Sequence, residues 1–245
     1  GDPHNVMFSG KTGHPQGSGA YILAQNSARD FVVETCHTPT GAGSQVSVNT
    51  ALAVRYGSVV LKNIGGRWSE TAADSGVACS PTGTCTFATG EKLSIRGGAV
   101  WLSLPSEYCG DVTGLCGSYN PDDKFADAYM LADGGLLNMT AQSLSANGWT
   151  SLGQGPYYGH YQSDFVQGFA VAAADSLFTP EECSVAVDAP TVISEPFVHC
   201  PALRTTAFEL CPAGEHYYFC IFDVGTSCDL AKWVDAAKVK PPTDF

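Results

Sequence analysis

The 245-residue chain contains no apolar run of the ~18 residues that a bilayer-spanning helix needs, so no segment reads as a transmembrane helix. It is poor in charge, with 15% Asp, Glu, Lys and Arg. It is poorer still in positive charge, with 12 Lys and Arg against 24 Asp and Glu and a net charge of −12. A surface of that sign repels phosphate backbones, which argues against a nucleic-acid partner and favours divalent cations or basic partners. There is no Cys-x-x-Cys, so zinc-ribbon and thioredoxin-type chemistry lose support. There is no His-x-x-x-His pair and no Gly-x-Ser-x-Gly elbow, and the six scattered histidines read as packing or surface residues. The start, Gly1-Asp2-Pro3-His4, has neither a charged n-region nor an apolar h-region. A signal peptide, if one existed, is already gone, or the chain is a fragment of something larger.

What is present is a core and many cysteines. Hydrophobic residues make up 44% of the chain, enough for one large β domain or a domain with an appendage, and too many for a disordered chain. The ten cysteines are Cys36, Cys79, Cys85, Cys109, Cys116, Cys183, Cys200, Cys211, Cys220 and Cys228. An even number without metal spacing reads as five structural disulfides formed in an oxidising, extracellular compartment. Cys79 and Cys85 bracket Ser80-Pro81-Thr82-Gly83-Thr84, a tight loop that a local disulfide would staple. Asn138-Met139-Thr140 is the one N-glycosylation sequon and adds to the secreted reading.

The first hundred residues have strand character. Tyr21-Ile22-Leu23, Phe31–Thr35, Val46–Arg55 and Ser58–Leu61 are apolar, β-branched or alternating, and Tyr56-Gly57 marks a hairpin turn. Lys92–Arg96 alternates, and Gly97-Gly98 returns the chain into Ala99–Leu104 as a two-residue hairpin. Short strands at about ten-residue spacing predict stacked antiparallel sheets. After Trp149 the texture changes. Gly153–Gly159 reads as a loop, and Phe165–Phe178 reads as a strand or a short helix. From Cys183 the chain is cysteine-dense. Tyr217-Tyr218-Phe219 reads as a short strand between disulfides, and Ser227 or Asp229 as the N-cap of a helix. The expected organisation is a β domain over 1–152, a connecting segment over 153–179, and a small disulfide-rich segment over 180–245 docked on the β domain.

The stretch Gly114-Leu115-Cys116-Gly117-Ser118-Tyr119-Asn120-Pro121-Asp122-Asp123 combines a glycine-flanked cysteine with an amide and carboxylates. It fits a disulfide corner, a calcium loop or the rim of a site. With Asp127 and Asp133 it offers oxygen ligands at the short, irregular spacing that calcium accepts, though not in EF-hand order. The adjacent pairs Asp122-Asp123 and Glu181-Glu182 read as solvated charge, because sequence neighbours rarely face one another as catalytic carboxylates do. The aromatic cluster Tyr157, Tyr158, Tyr161, Phe165 and Phe169 reads as buried structure, with a recognition surface as the alternative.

Four markers occur in order over about 1–150: Gly1-Asp2-Pro3-His4 with Met7-Phe8-Ser9-Gly10, Tyr21-Ile22-Leu23-Ala24, Gly114–Asn120, and Tyr129–Gly134 with Asn147-Gly148-Trp149. In this order they resemble a von Willebrand factor type D domain. The resemblance implies an extracellular β-sandwich module of large adhesive or gel-forming proteins. It also implies a Ca2+ site between the opening strand and the loop after Gly-Leu-Cys-Gly. Asn120 matches a ligand position and Asp127 the first of the family's paired acids, while Asp122 and Asp123 supply further oxygens. The chain departs from the family at Ser9, Ser118 and Ala128, where donors are usual, and at Gly19, Ser27 and Thr113, where cysteines are usual. The family's disulfide connectivity is therefore not carried over. Asp2-Pro3 resembles a self-cleaving bond of some members, with a rigid strand entry as the plainer reading.

The sequence therefore predicts a mainly β, extracellular structural or adhesive module rather than an enzyme. Its expected partners are other extracellular modules or a second copy of itself. A secreted enzyme or ligand-binding protein on the same fold is the alternative.

Overall fold

The computed structural model of the protein describes residues 5–6, 8, 12–13, 15, 17–39, 41–42, 47–69, 75–80, 83–96, 99–117, 131–133, 157–158, 164–184, 210–211, 215–216 and 220–223. It is mainly β, with two large sheets. One has six strands in the order β12-β3-β4-β5-β6-β7. These are β3 (Gly19–Asn26), β4 (Phe31–Pro39), β5 (Ser47–Tyr56), β6 (Val59–Ile64), β7 (Arg67–Trp68) and β12 (Val112–Thr113). The other has eight strands in the order β13-β2-β1-β16-β11-β10-β9-β8. These are β1 (Asn5–Val6), β2 (Thr12–Gly13), β8 (Val77–Cys79), β9 (Thr84–Phe87), β10 (Lys92–Arg96), β11 (Ala99–Ser103), β13 (Tyr157–Tyr158) and β16 (Cys220–Asp223). Among the described pairs all are antiparallel except β13 and β2. A separate hairpin joins β14 (Leu210–Cys211) and β15 (Glu215–His216).

The expected hairpins form where the turn chemistry places them. Tyr56 pairs with Val59, so Gly57-Ser58 is the connection, and Arg96 pairs with Ala99 across Gly97-Gly98. Cys79 and Cys85 face each other across β8 and β9 and are bonded, with Cα atoms 4.0 Å apart. Tyr157–Tyr158, read from sequence as loop, instead form a strand beside β2. Two residues are too few to show a period.

The core lies between the sheets. Leu23, Val33, Leu52, Val54 and Leu61 of the six-stranded sheet cluster with Phe87, Leu93, Val100 and Leu102 of the eight-stranded one. Truncating any of these leucines to alanine would cost about 2–5 kcal/mol. Phe31 packs edge-on against Phe87, ring centroids 5.8 Å apart. The first eight residues of β4 are all buried, which a sheet covered on one face alone cannot produce. The second cover comes from residues 169–183. Leu177 and Phe178 pack on Ala20, Cys36, Ala51 and Ala53, on the face turned away from the main core. The 165–178 stretch therefore resolves into a helix, Asp164–Gly168, followed by turns.

The strand Cys220–Asp223 lies inside the eight-stranded sheet, between β1 and β11. The expected strand over Tyr217–Phe219 and the helix start at Ser227 or Asp229 lie outside the described residues.

Candidate functional site

The Gly-Leu-Cys-Gly stretch is a backbone corner stitched to β3. Strand β12 pairs Val112 with Asn26 and Thr113 with Gln25. The chain then continues along β3, where Leu115 N–H donates to Ile22 O at 3.0 Å and Cys116 N–H to Leu23 O at 2.9 Å. Leu23 is the bulged residue of β3, between the pairs Ile22–Glu34 and Ala24–Val33. Gly114 sits at φ 146°, and a Cβ there would lie 2.4 Å from Leu23 O. Only glycine permits that approach. Gly117 N–H closes the corner on Gly114 O at 2.9 Å.

The corner also holds the start of the chain. Phe8 N–H donates to Cys116 O at 2.9 Å, and Phe8, Leu115 and Cys116 are fully buried or nearly so. The opening segment is thus placed beside Gly117, after which the acidic stretch of the sequence follows. Cys116 and Cys109 are both disulfide-bonded, and no described cysteine is free. Asn120, Asp122, Asp123 and Asp127, the proposed calcium ligands, lie outside the described residues, as do the glycosylation candidate Asn138, Cys200, Cys228 and Asp2-Pro3. Among the described residues no group of three His, Cys, Asp or Glu is placed to hold a metal. Amide and carboxylate oxygens of the kind offered by Asn120 to Asp127 are hard donors that suit Ca2+.

The second feature is the strap over the outer face of the six-stranded sheet. Ile22 N–H donates to Phe169 O and Val171 N–H to Ala20 O, both at 2.8 Å, which extends the covered edge of β3 beyond the corner. Phe165 and Phe169 of the sequence-level aromatic cluster are buried, their ring centroids 5.4 Å apart. Cys36, in the middle of β4, is bonded to Cys183. The buried Glu34 carboxylate accepts from Ser176 Oγ and Leu177 N–H, each at 2.9 Å. Burial pushes this carboxyl above the ordinary glutamate range, while the two hydrogen bonds and, more weakly, Arg55 and Arg29 pull the other way. The strap ends in the helix Pro180–Ser184, opened by a reciprocal cap. Thr179 N–H donates to Glu182 Oε2 at 2.7 Å and Glu182 N–H to Thr179 Oγ1 at 3.3 Å. Glu182 also meets Lys62 Nζ at 2.6 Å, and this contact lowers its pKa. Of the two adjacent glutamates, Glu182 therefore serves both as helix cap and as ion-pair partner.

Two further buried polar groups belong to packing. His37 is fully buried against the Tyr21 ring, centroids 4.6 Å apart, and burial pulls its pKa down to about 3. Glu91 is fully buried and accepts from the Tyr108 hydroxyl and from Thr89 Oγ1 at 2.7 Å. Burial and the neighbouring carboxylate push the Tyr108 phenol well above its usual range.

The sequence reading missed the strap, although Thr179-Pro180-Glu181-Glu182 carries its signal. A Thr-x-x-Glu capping box with proline at the first helical position marks a helix start. Nothing in the sequence paired Glu34 with residues more than 140 positions away.

No family model matches the chain. Three SCO-spondins resemble it. The protein of Rattus norvegicus is 26% identical over 94% of this chain. Those of Gallus gallus and Mus musculus are 25% and 29% identical, each over 61% of it. The chain spans only 4% of the length of the rat relative and 3% of the other two.

Proposed function

We propose that the chain is an extracellular structural or adhesive module of von Willebrand factor type D character. It would act as one part of a larger secreted or surface assembly rather than as a catalyst. The observation that carries this reading is the Gly-Leu-Cys-Gly corner, bonded at once to β3 and to Phe8 of the opening segment within a disulfide-closed β sandwich. Described parts of three of the four markers behind the family resemblance, Phe8, Ile22–Ala24 and Gly114–Gly117, meet there. The likeness to SCO-spondins, of which the chain covers a few per cent, supports a module within a long protein.

In this reading the corner presents the loop over 118–134. Asn120, Asp122, Asp123 and Asp127 hold Ca2+, which orders that loop as a contact surface. Asn138 carries a glycan. The expected partners are neighbouring extracellular modules or a second copy of the chain. The net charge of −12 favours a divalent cation as mediator, because surfaces of like charge repel one another. Sedimentation velocity over a wide concentration series, in calcium and in chelator, tests the reading. Calcium-dependent self-association, or co-sedimentation with a flanking module, is expected. A monomer at every concentration that also binds no flanking module overturns it.

A further inference from the structure

We propose that the Cys36–Cys183 bond makes the strap a tension clamp, which keeps residues 37–108 and 117–182 out of the path of a force applied along the chain. The inference rests on the reading of the chain as a module within a longer protein, since only then is the chain pulled from both sides.

The geometry begins at the seam between β1 and β16. These strands pair antiparallel, Asn5 opposite Phe222 and Val6 opposite Ile221. The N-terminal end of one therefore lies beside the C-terminal end of the other. Force applied at the two ends of the chain pulls both from the same edge and unzips the pairing one residue at a time. Two pairs offer little resistance in that direction. Tension then passes inward along β3 and β4 from one side and toward the helix Pro180–Ser184 from the other. The two routes meet at Cys36, buried in β4, and Cys183, at the end of the strap. The covalent bond carries the force from one to the other.

Noncovalent contacts hold the same junction. Glu34, two residues before Cys36, fixes the strap at Ser176 and Leu177, and Lys62 of β6 fixes it at Glu182. Leu177 and Phe178 bury the face around the bond. Reductive opening is also disfavoured. Attack by an external thiolate on Cys183 would expel Cys36 as a thiolate at a fully buried position near the Glu34 carboxylate, and such a leaving group departs slowly.

The bond closes a sequence separation of 147 residues. At ~3.4 Å per residue that length is about 500 Å of extended chain. Single-molecule force spectroscopy on the full chain, held by handles at both ends, tests the clamp. The oxidised protein should stop at least about 500 Å short of the fully reduced chain, since the bonds at Cys109 and Cys116 can only shorten it further. Reductant added while an oxidised molecule is held under tension should release further length in that same molecule, so the result does not depend on a variant folding. Glu34→Gln should leave the oxidised limit unchanged. The double variant Cys36→Ala/Cys183→Ala should lengthen it if it folds. An oxidised molecule that releases the full contour overturns the clamp, as does one that gains no length on reduction. Neither result bears on self-association, so the clamp and the module reading fail separately.

Discussion

Replacing Gly114 by alanine probes the corner from which the site is built. The added methyl would sit 2.4 Å from Leu23 O and 2.9 Å from Ala24 Cα, both backbone atoms that cannot rotate away. The residue would also have to keep φ 146°, a conformation that side chains rarely adopt. Backbone strain of ~1–3 kcal/mol and overpacking of ~1–3 kcal/mol combine to a loss of about 3 kcal/mol or more. For a chain of this size that corresponds to a fall in Tm of about 6–12 °C. Gly110→Ala supplies the control. Gly110 also has a positive φ, 81°, but a Cβ there meets nothing within 4 Å, so only the smaller conformational cost of ~1 kcal/mol applies. Thermal unfolding followed by circular dichroism compares the two. If Gly114→Ala loses no more than Gly110→Ala, the close stitching of the corner to β3 is wrong.

Further outcomes follow from the buried polar groups. Glu34 holds its proton to higher pH in the folded than in the unfolded chain, so its ionisation costs stability as pH rises through the raised value. The Tm of Glu34→Gln relative to the parent should therefore grow as pH rises above the ordinary glutamate range and then level off, and a difference that shrinks instead contradicts the strap anchor. His37 has the opposite sign. Its folded pKa of about 3 lies below the ordinary 6.5, so its contribution is complete above that ordinary value and is lost as pH falls through the window. The slope is at most ~1.4 kcal/mol per pH unit. An NMR titration should show no His37 inflection between pH ~7.5 and ~4, whereas a midpoint near the ordinary value would show that the ring is not buried. Thr179→Ala removes one half of the cap at the helix Pro180–Ser184 and should cost about 1 kcal/mol in chemical denaturation, with no loss if the strap end is frayed.

Much of the sandwich was legible in the sequence because its strands carry period-two patterns and its turns carry glycine. Tyr56-Gly57-Ser58 and Gly97-Gly98 fixed their hairpin registers, and the short loop between Cys79 and Cys85 allowed one pairing to be read directly. The two-sided burial of β4 was not legible. Phe31–Thr38 looks like an ordinary strand until the strap covers its second face, and that cover depends on contacts across more than 140 residues. The insertion of Cys220–Asp223 between β1 and β11 was hidden for the same reason. A four-residue apolar strand states that it pairs, not with what. At the site, the corner was readable from its glycines. Its two anchors, the Leu23 bulge and Phe8, were not, because backbone hydrogen bonds leave no mark on side-chain choice.

The central claim is that the corner presents a calcium-ordered loop. Thermal stability measured through a calcium titration after chelation tests it most directly, on the parent chain and on Asp122→Ala and Asp127→Ala. A cation bound only by the folded state must raise stability, so the account predicts a Tm that climbs with calcium in the parent and stays flat in both variants. A parent whose Tm does not move through millimolar calcium, or variants that respond as the parent does, would contradict it.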